Sequence, residues 1–148
     1  MRNRIFVIIA AAVTALFTMA AGIAGCGESG VFSVTQEEDG TVSVTAQKAS
    51  VRSMGISYLT VENGQQVVIR PSLTDKSVVN VKIIPYTEPE DIDSIQAAVD
   101  ILNVKDGAII DEDISGTAPY TFDTEPGEYI VRVTVVKKAD GSMTVAGE

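Results

Sequence analysis

Few residues in this 148-residue chain have the types and spacing to do chemistry, and two useful kinds are missing. There is no histidine, so neither a serine–histidine–aspartate nor a cysteine–histidine arrangement can be assembled, and a zinc site built on imidazole is excluded. The one cysteine, Cys26, has no partner for an intrachain disulfide, so the fold must stand on its core. Carboxylates remain. Asp111, Glu112 and Asp113 fall in a segment that reads as a strand, where alternation puts Asp111 and Asp113 on one face, as hydrolysis by paired carboxylates requires. Among 20 Asp and Glu one such pair arises without catalytic purpose, so the chain is not expected to be an enzyme.

Calcium is the better use of the same acids, since a hard cation wants clustered carboxylate and carbonyl oxygens. Asp111 and Asp113 are the first metal candidates, with Asp106-Gly107 able to converge on them; Glu88, Glu90, Asp91 and Asp93 form a second cluster. No spacing matches a calcium-binding EF-hand loop, so the expected role of these acids is solvation, with no cofactor. A sugar platform would need exposed aromatic rings. There is no tryptophan, Tyr129 reads as core, and Tyr58, Tyr86 and Tyr120 read as half-buried strand residues, with Tyr58 or Tyr86 the candidates for glycan contact.

Cys26 has a different use. Arg2 and Arg4 precede an apolar stretch from Ile5 to about Gly22 that carries no charge, followed by Ile23-Ala24-Gly25-Cys26. This run resembles the signal peptide and lipobox of diacylglyceryl-modified bacterial lipoproteins, with Ile23 where leucine is commoner. The resemblance implies cleavage before Cys26, lipidation of its thiol, and residence on the extracytoplasmic face of a bacterial membrane. Two alternatives stand beside it: a plain secretory signal that leaves Cys26 a free thiol, and an uncleaved membrane helix, for which the stretch just reaches the needed length. The implied organisation is a signal helix over residues 1–25, a lipidated cysteine and short tether over 26–30, and one domain over 31–148.

Loss of Arg2 and Arg4 with the leader turns the formal charge of −9 into about −11 for the mature chain. That field opposes nucleic acid and disfavours electrostatic docking onto anionic lipid, which leaves anchoring to the diacylglyceryl group and an N-acyl chain. Gly27 to Gly30 reach roughly 15 Å when extended, so the domain is held near the bilayer.

From Val31 onward the dominant period is two. Phe32 and Val34, then Val42, Val44 and Ala46, alternate with Ser and Thr around Asp39-Gly40, the signature of a hairpin. A second hairpin is expected from Ile56–Val61 to Gln66–Arg70 through Asn63-Gly64, with Pro71 ending that strand or marking an edge. Ser77–Tyr86 reads as a central strand; Ala108–Ser115, Tyr120–Thr124, Glu128–Lys137 and Ser142–Ala146 follow, separated by glycine-containing turns. About 8–9 such strands imply an all-β antiparallel sandwich, Ig-like or jelly-roll-like. One short helix is expected over Glu88–Asn103, where Ile92, Ile95, Val99 and Leu102 recur at helical spacing behind a Thr87-to-Glu90 capping box.

Glu125-Pro126-Gly127-Glu128-Tyr129, followed by alternating valines, resembles the last hairpin of Ig-like and fibronectin-like modules. Together with Tyr58–Gly64 it is similar to small Firmicutes lipoproteins; neither resemblance transfers a catalytic or binding residue. The expected function is that of a membrane-anchored envelope lipoprotein, a non-catalytic binding or structural module with an envelope protein or glycan as partner. The alternatives are a calcium- or glycan-binding module and, farther off, a carboxylate hydrolase.

Overall fold

A computed structural model describes residues 30–74, 76–86 and 107–148. The signal segment, the lipobox Ile23-Ala24-Gly25 with Cys26, the Glu88–Asn103 helix and the Glu88–Asp93 cluster lie outside the described residues. Every regular element among the described residues is a strand: β1 (Val31–Gln36), β2 (Val42–Ala49), β3 (Met54–Val61), β4 (Val67–Leu73), β5 (Val78–Pro85), β6 (Ile110–Ile114), β7 (Tyr120–Phe122), β8 (Gly127–Lys137) and β9 (Ala139–Gly147).

They form two antiparallel sheets, one in the order β1-β2-β9-β4-β7 and the other β3-β8-β5-β6. The pairings are nested: β2 with β9, β3 with β8, β4 with β7, β5 with β6. The chain is thus one long antiparallel ribbon wrapped so that its legs fall alternately in two layers, with β1 added at an edge. That is jelly-roll topology, and it decides between the two sandwich types expected.

Between the layers the core follows the alternation read in the sequence. Val42, Val44, Val67, Ile69, Met143 and Val145 of the first sheet meet Leu59, Val61, Val79, Val81, Val131 and Val133 of the second, all almost wholly buried. The outward face of the four-stranded sheet also buries apolar side chains, at Ile56, Tyr58, Ile84 and Ile130. The expectation of a central strand is met, since β5 lies between β8 and β6, and Ile84 on its outward face is buried.

The β1–β2 hairpin forms as expected: Thr41 N–H bonds Asp39 Oδ1, and Glu37 N–H the Thr41 carbonyl. The second hairpin does not. β3 and β4 lie in different sheets, and Asn63-Gly64 turns the chain from one layer to the other. Glu62–Gln66 is longer than the two residues that closing a hairpin favours, and longer antiparallel registers with β8 and β9 capture the two strands. The Pro126-Gly127 turn also joins layers, taking β7 into β8, so no Ig-like or fibronectin-like hairpin is made. Tyr129, Val131, Val133 and Val135 still face the core as expected, and the Tyr129 hydroxyl ties back to the Glu125 carbonyl at 2.5 Å.

Pro71 lies inside β4 instead of ending it. Leu73 donates its N–H away from β9 to the Gly116 carbonyl, so Pro71, two residues earlier, turns its missing donor toward the same flank. There β7 covers only Val67–Ile69, and the proline marks a local edge.

Candidate functional site

The chain reverses at alternate ends of the sandwich, so its connections sort by parity. Residues 50–53, 74–77, 115–119 and Lys138 join strands at one end, where Gly30 also enters β1; this end is the tether pole. Residues 37–41, 62–66 and 123–126, with the C-terminal Glu148, lie at the other, distal pole.

The tether pole is bonded into one plate. Asp140, between β8 and the pairing stretch of β9, accepts from the Lys48 N–H through Oδ1 at 2.5 Å, and its carbonyl accepts from the Thr74 N–H at 3.0 Å. Its own N–H goes to Ser77 Oγ at 2.9 Å, and the same hydroxyl meets Thr74 Oγ1 at 2.9 Å. The buried Ser77 thus ties the 74–77 connection to the start of β9, and Asp140 ties both to the end of β2. Two glycines let the backbones close up: a Cβ at Gly30 would overlap the Lys48 carbonyl, and one at Gly141 the Ser72 carbonyl. Gly141 also has φ +127°, a conformation that suits only glycine. In β2 the ladder slips between Ala46 and Ala49, a bulge at which Lys48 takes φ 46°; Arg52, in the next turn, takes φ 74°.

The acidic pair is brought together as the alternation implied. Asp111 and Asp113 stand on the outward face of edge strand β6, opposite Lys82 and Asn80 of β5. The Asn80 amide donates to both, at 2.8 Å to Asp111 Oδ1 and 3.0 Å to Asp113 Oδ1, and Lys82 Nζ lies 3.6 Å from Asp111 Oδ2. The Asn80 hydrogen bond holds the Asp111 carboxyl below its ordinary range; desolvation opposes it, and Lys82 and then Arg132 add to the lowering. An amide donating to both carboxylates and an ammonium beside one give this pair partners with which a cation would have to compete. Among the described residues no group of three acids, histidines or cysteines is placed to hold a metal ion. Glu112 faces the other way, on the inner face of this edge between Ile110 and Ile114, yet stays exposed; an inward charge on an edge strand discourages pairing with another chain.

The tyrosines do not make a sugar platform. Tyr58 is buried, its ring edge-on to Tyr86 with centroids 5.5 Å apart, and burial, then the neighbouring Tyr86, raises its phenol above the ordinary range. It is a packing residue, not the half-exposed one expected; Tyr86 and Tyr120 are half-buried and Tyr129 is core, as read.

The plate of Ser77, Thr74 and Asp140 was not picked out from the sequence. Two residues of one connection and one at the start of β9 give no local signal until the ribbon topology puts them side by side.

No family model matches this chain, and no curated protein does. Two solved structures are similar at low scores: one described as "CBM4 structure and function" (10% identity, TM-score 0.36, covering 79% of this chain and 78% of that one). The other is a Drosophila melanogaster CENP-C structure, described as bound to CAL1, at 10% identity and a TM-score of 0.32, covering 93% of this chain and 96% of that one.

Proposed function

We propose that the chain is a bacterial envelope lipoprotein whose Cys26 carries a diacylglyceryl group and holds a non-catalytic jelly-roll module at the extracytoplasmic face of the membrane. The observation that carries this reading is Ile23-Ala24-Gly25-Cys26 standing directly behind Arg2, Arg4 and an uncharged apolar stretch. The entry into β1 supports it: Val31 is already in a strand, so the residues after Cys26 provide a short tether and no stalk. A non-catalytic role is supported by the residue inventory and by the acidic pair. With no histidine and one cysteine, the carboxylates were the remaining catalytic candidates, and Asp111 and Asp113 are engaged by Asn80 and Lys82.

Cys26→Ser tests the reading. The variant should move from the membrane to the soluble or secreted fraction, and mass spectrometry of the wild-type N-terminal peptide should show a diacylglyceryl adduct on Cys26. Unchanged membrane retention with no adduct would favour a spanning helix.

A further inference from the structure

We propose that the tether pole is a docking face for an anionic lipid surface. Five of the nine Lys and Arg found after residue 25 stand there, all exposed: Lys48, Arg52, Lys76, Lys137 and Lys138. Exposed apolar residues keep them company. Val31 (51% exposed), Val51 (55%) and Val136 (38%) are at or next to this end, whereas Ile109 is the only large hydrophobic exposed elsewhere among the described residues. Asp140, the acid described in these connections, spends its carboxylate on the Lys48 N–H, inward to the chain.

The bases are also held in position. Lys48 and Arg52 both have positive φ, rare for side chains with a Cβ, and both are fixed by backbone bonds: Lys48 N–H to Asp140, Arg52 N–H to the Val135 carbonyl at 2.9 Å. A rim of cations around exposed valines suits a bilayer interface, where ammonium and guanidinium groups lie at phosphate level and the apolar side chains enter the headgroup boundary. A flexible soluble polyanion would match the charge and have no use for the valines.

The net charge does not oppose this, because among the described residues the acids other than Asp140 lie elsewhere. Glu37, Glu38, Asp39, Glu62, Glu125 and Glu128 are at the distal pole, with no Lys or Arg in the described connections there. The eight residues of β3 separate the poles by about 26 Å, some three Debye lengths at physiological salt, so a surface touching the tether pole meets mainly its cations. The position of that pole rests on the lipoprotein reading: Gly30 is packed against Lys48 and Ala49, and a lipid on Cys26 would hold this end within roughly 15 Å of the bilayer.

The test is acetylation footprinting of the native lysines. The full chain, purified with its lipid, is reconstituted into phosphatidylcholine vesicles with and without phosphatidylglycerol, and acetylation rates are read peptide by peptide. Lys76, Lys137 and Lys138 should react roughly five-fold or more slowly on the anionic vesicles, in line with the effect of one base near such a surface. Lys82, on the sheet face, should be unchanged, and about 0.5 M salt should erase the difference. A variant carrying Lys137→Glu and Lys138→Glu should lose the protection of Lys76 while staying in the membrane fraction. Equal rates on both vesicles would overturn the proposal, as would equal protection by soluble polyphosphate without vesicles. The mass of the Cys26 peptide reports lipidation separately: an adduct without protection sinks the docking face alone, and protection without an adduct sinks the lipoprotein reading alone.

Discussion

At the tether pole the described connections are cross-bonded through Asp140 and Ser77, pinched by Gly30 and Gly141, and basic. At the distal pole turns close on their own residues, Thr41 on Asp39 and the Glu62 N–H on Gln65, and two of them are also joined: Gln66 Nε2 donates to Asp123 Oδ1, and Gln66 and Glu148 exchange backbone N–H···O bonds. Its glycines at 40 and 64 are open to solvent, and its charge is acidic. One ribbon made both ends, so the difference lies in what the turns carry. Both ends are bonded between turns, so what distinguishes them is the sign of the charge the turns carry.

The sharpest break of this contrast is a pair of glycine substitutions. Gly141→Ala forces a Cβ toward the Ser72 backbone at a φ that favours glycine, and should cost about 3 kcal/mol or fail to fold. Gly40→Ala, at φ +86° with nothing within 4 Å, should cost about 1 kcal/mol, the price of positive φ alone. Thermal or urea melts of both variants read the difference, and equal losses would mean that the tether pole is no more constrained than its opposite.

Next in size is Ser77→Ala. It removes a buried hydroxyl that accepts from Asp140 N–H and leaves that donor unpaired, for about 1–2 kcal/mol. A loss of a few tenths in a denaturant melt would show that the plate does not act as a unit.

How far the sequence could be read follows from where each signal lies. The strands were legible because alternation is local: Val42, Val44 and Ala46, or Val131, Val133 and Val135, declare the buried face unaided. The partners of β3 and β4 were not, because Asn-Gly closes a hairpin and an inter-layer turn alike, and the choice is made by β8 and β9 some seventy residues away. The pairing of Asp111 with Asp113 was legible from their separation by one residue; the Asn80 that engages them lies on another strand and was not. The charge polarity was hidden by the net figure. It emerges once the turns are sorted by parity, since Arg52, Lys76 and Lys138 fall in alternate connections and Glu38, Glu62 and Glu125 in the others.

Between the poles, the Asp111–Asp113 face should be indifferent to calcium. Both carboxylates already accept from Asn80, so millimolar calcium should raise the melting temperature no more than magnesium does. A calcium-selective rise that Asp111→Asn abolishes would turn this face into a metal site.

The smallest expected effect is on the acid side of the pH profile, and it compares the middle of the sheet with the distal turn. Asp111 is lowered chiefly by the Asn80 side chain and Asp39 chiefly by the Thr41 N–H, so in each the folded state favours the charged form. A carboxyl depressed on folding contributes stability that is fully present above its unfolded value, near 3.9, and fades as pH falls through the lower folded value. The melting temperature should therefore be flat for these groups from pH 7 to about 5 and decline below about 4. Replacing the partner separates them. Asn80→Leu should flatten the part of the decline that belongs to Asp111, and Asp39→Asn should flatten the part from the distal turn while leaving Asp111 untouched. Asp111 is on β6, Asp39 is in the turn between β1 and β2, and they share no partner, so their effects should add. A double variant whose acid limb differs from the sum of the two would show that the sheet face and the distal turn are coupled, and that the ends of this sandwich are not independent of its middle.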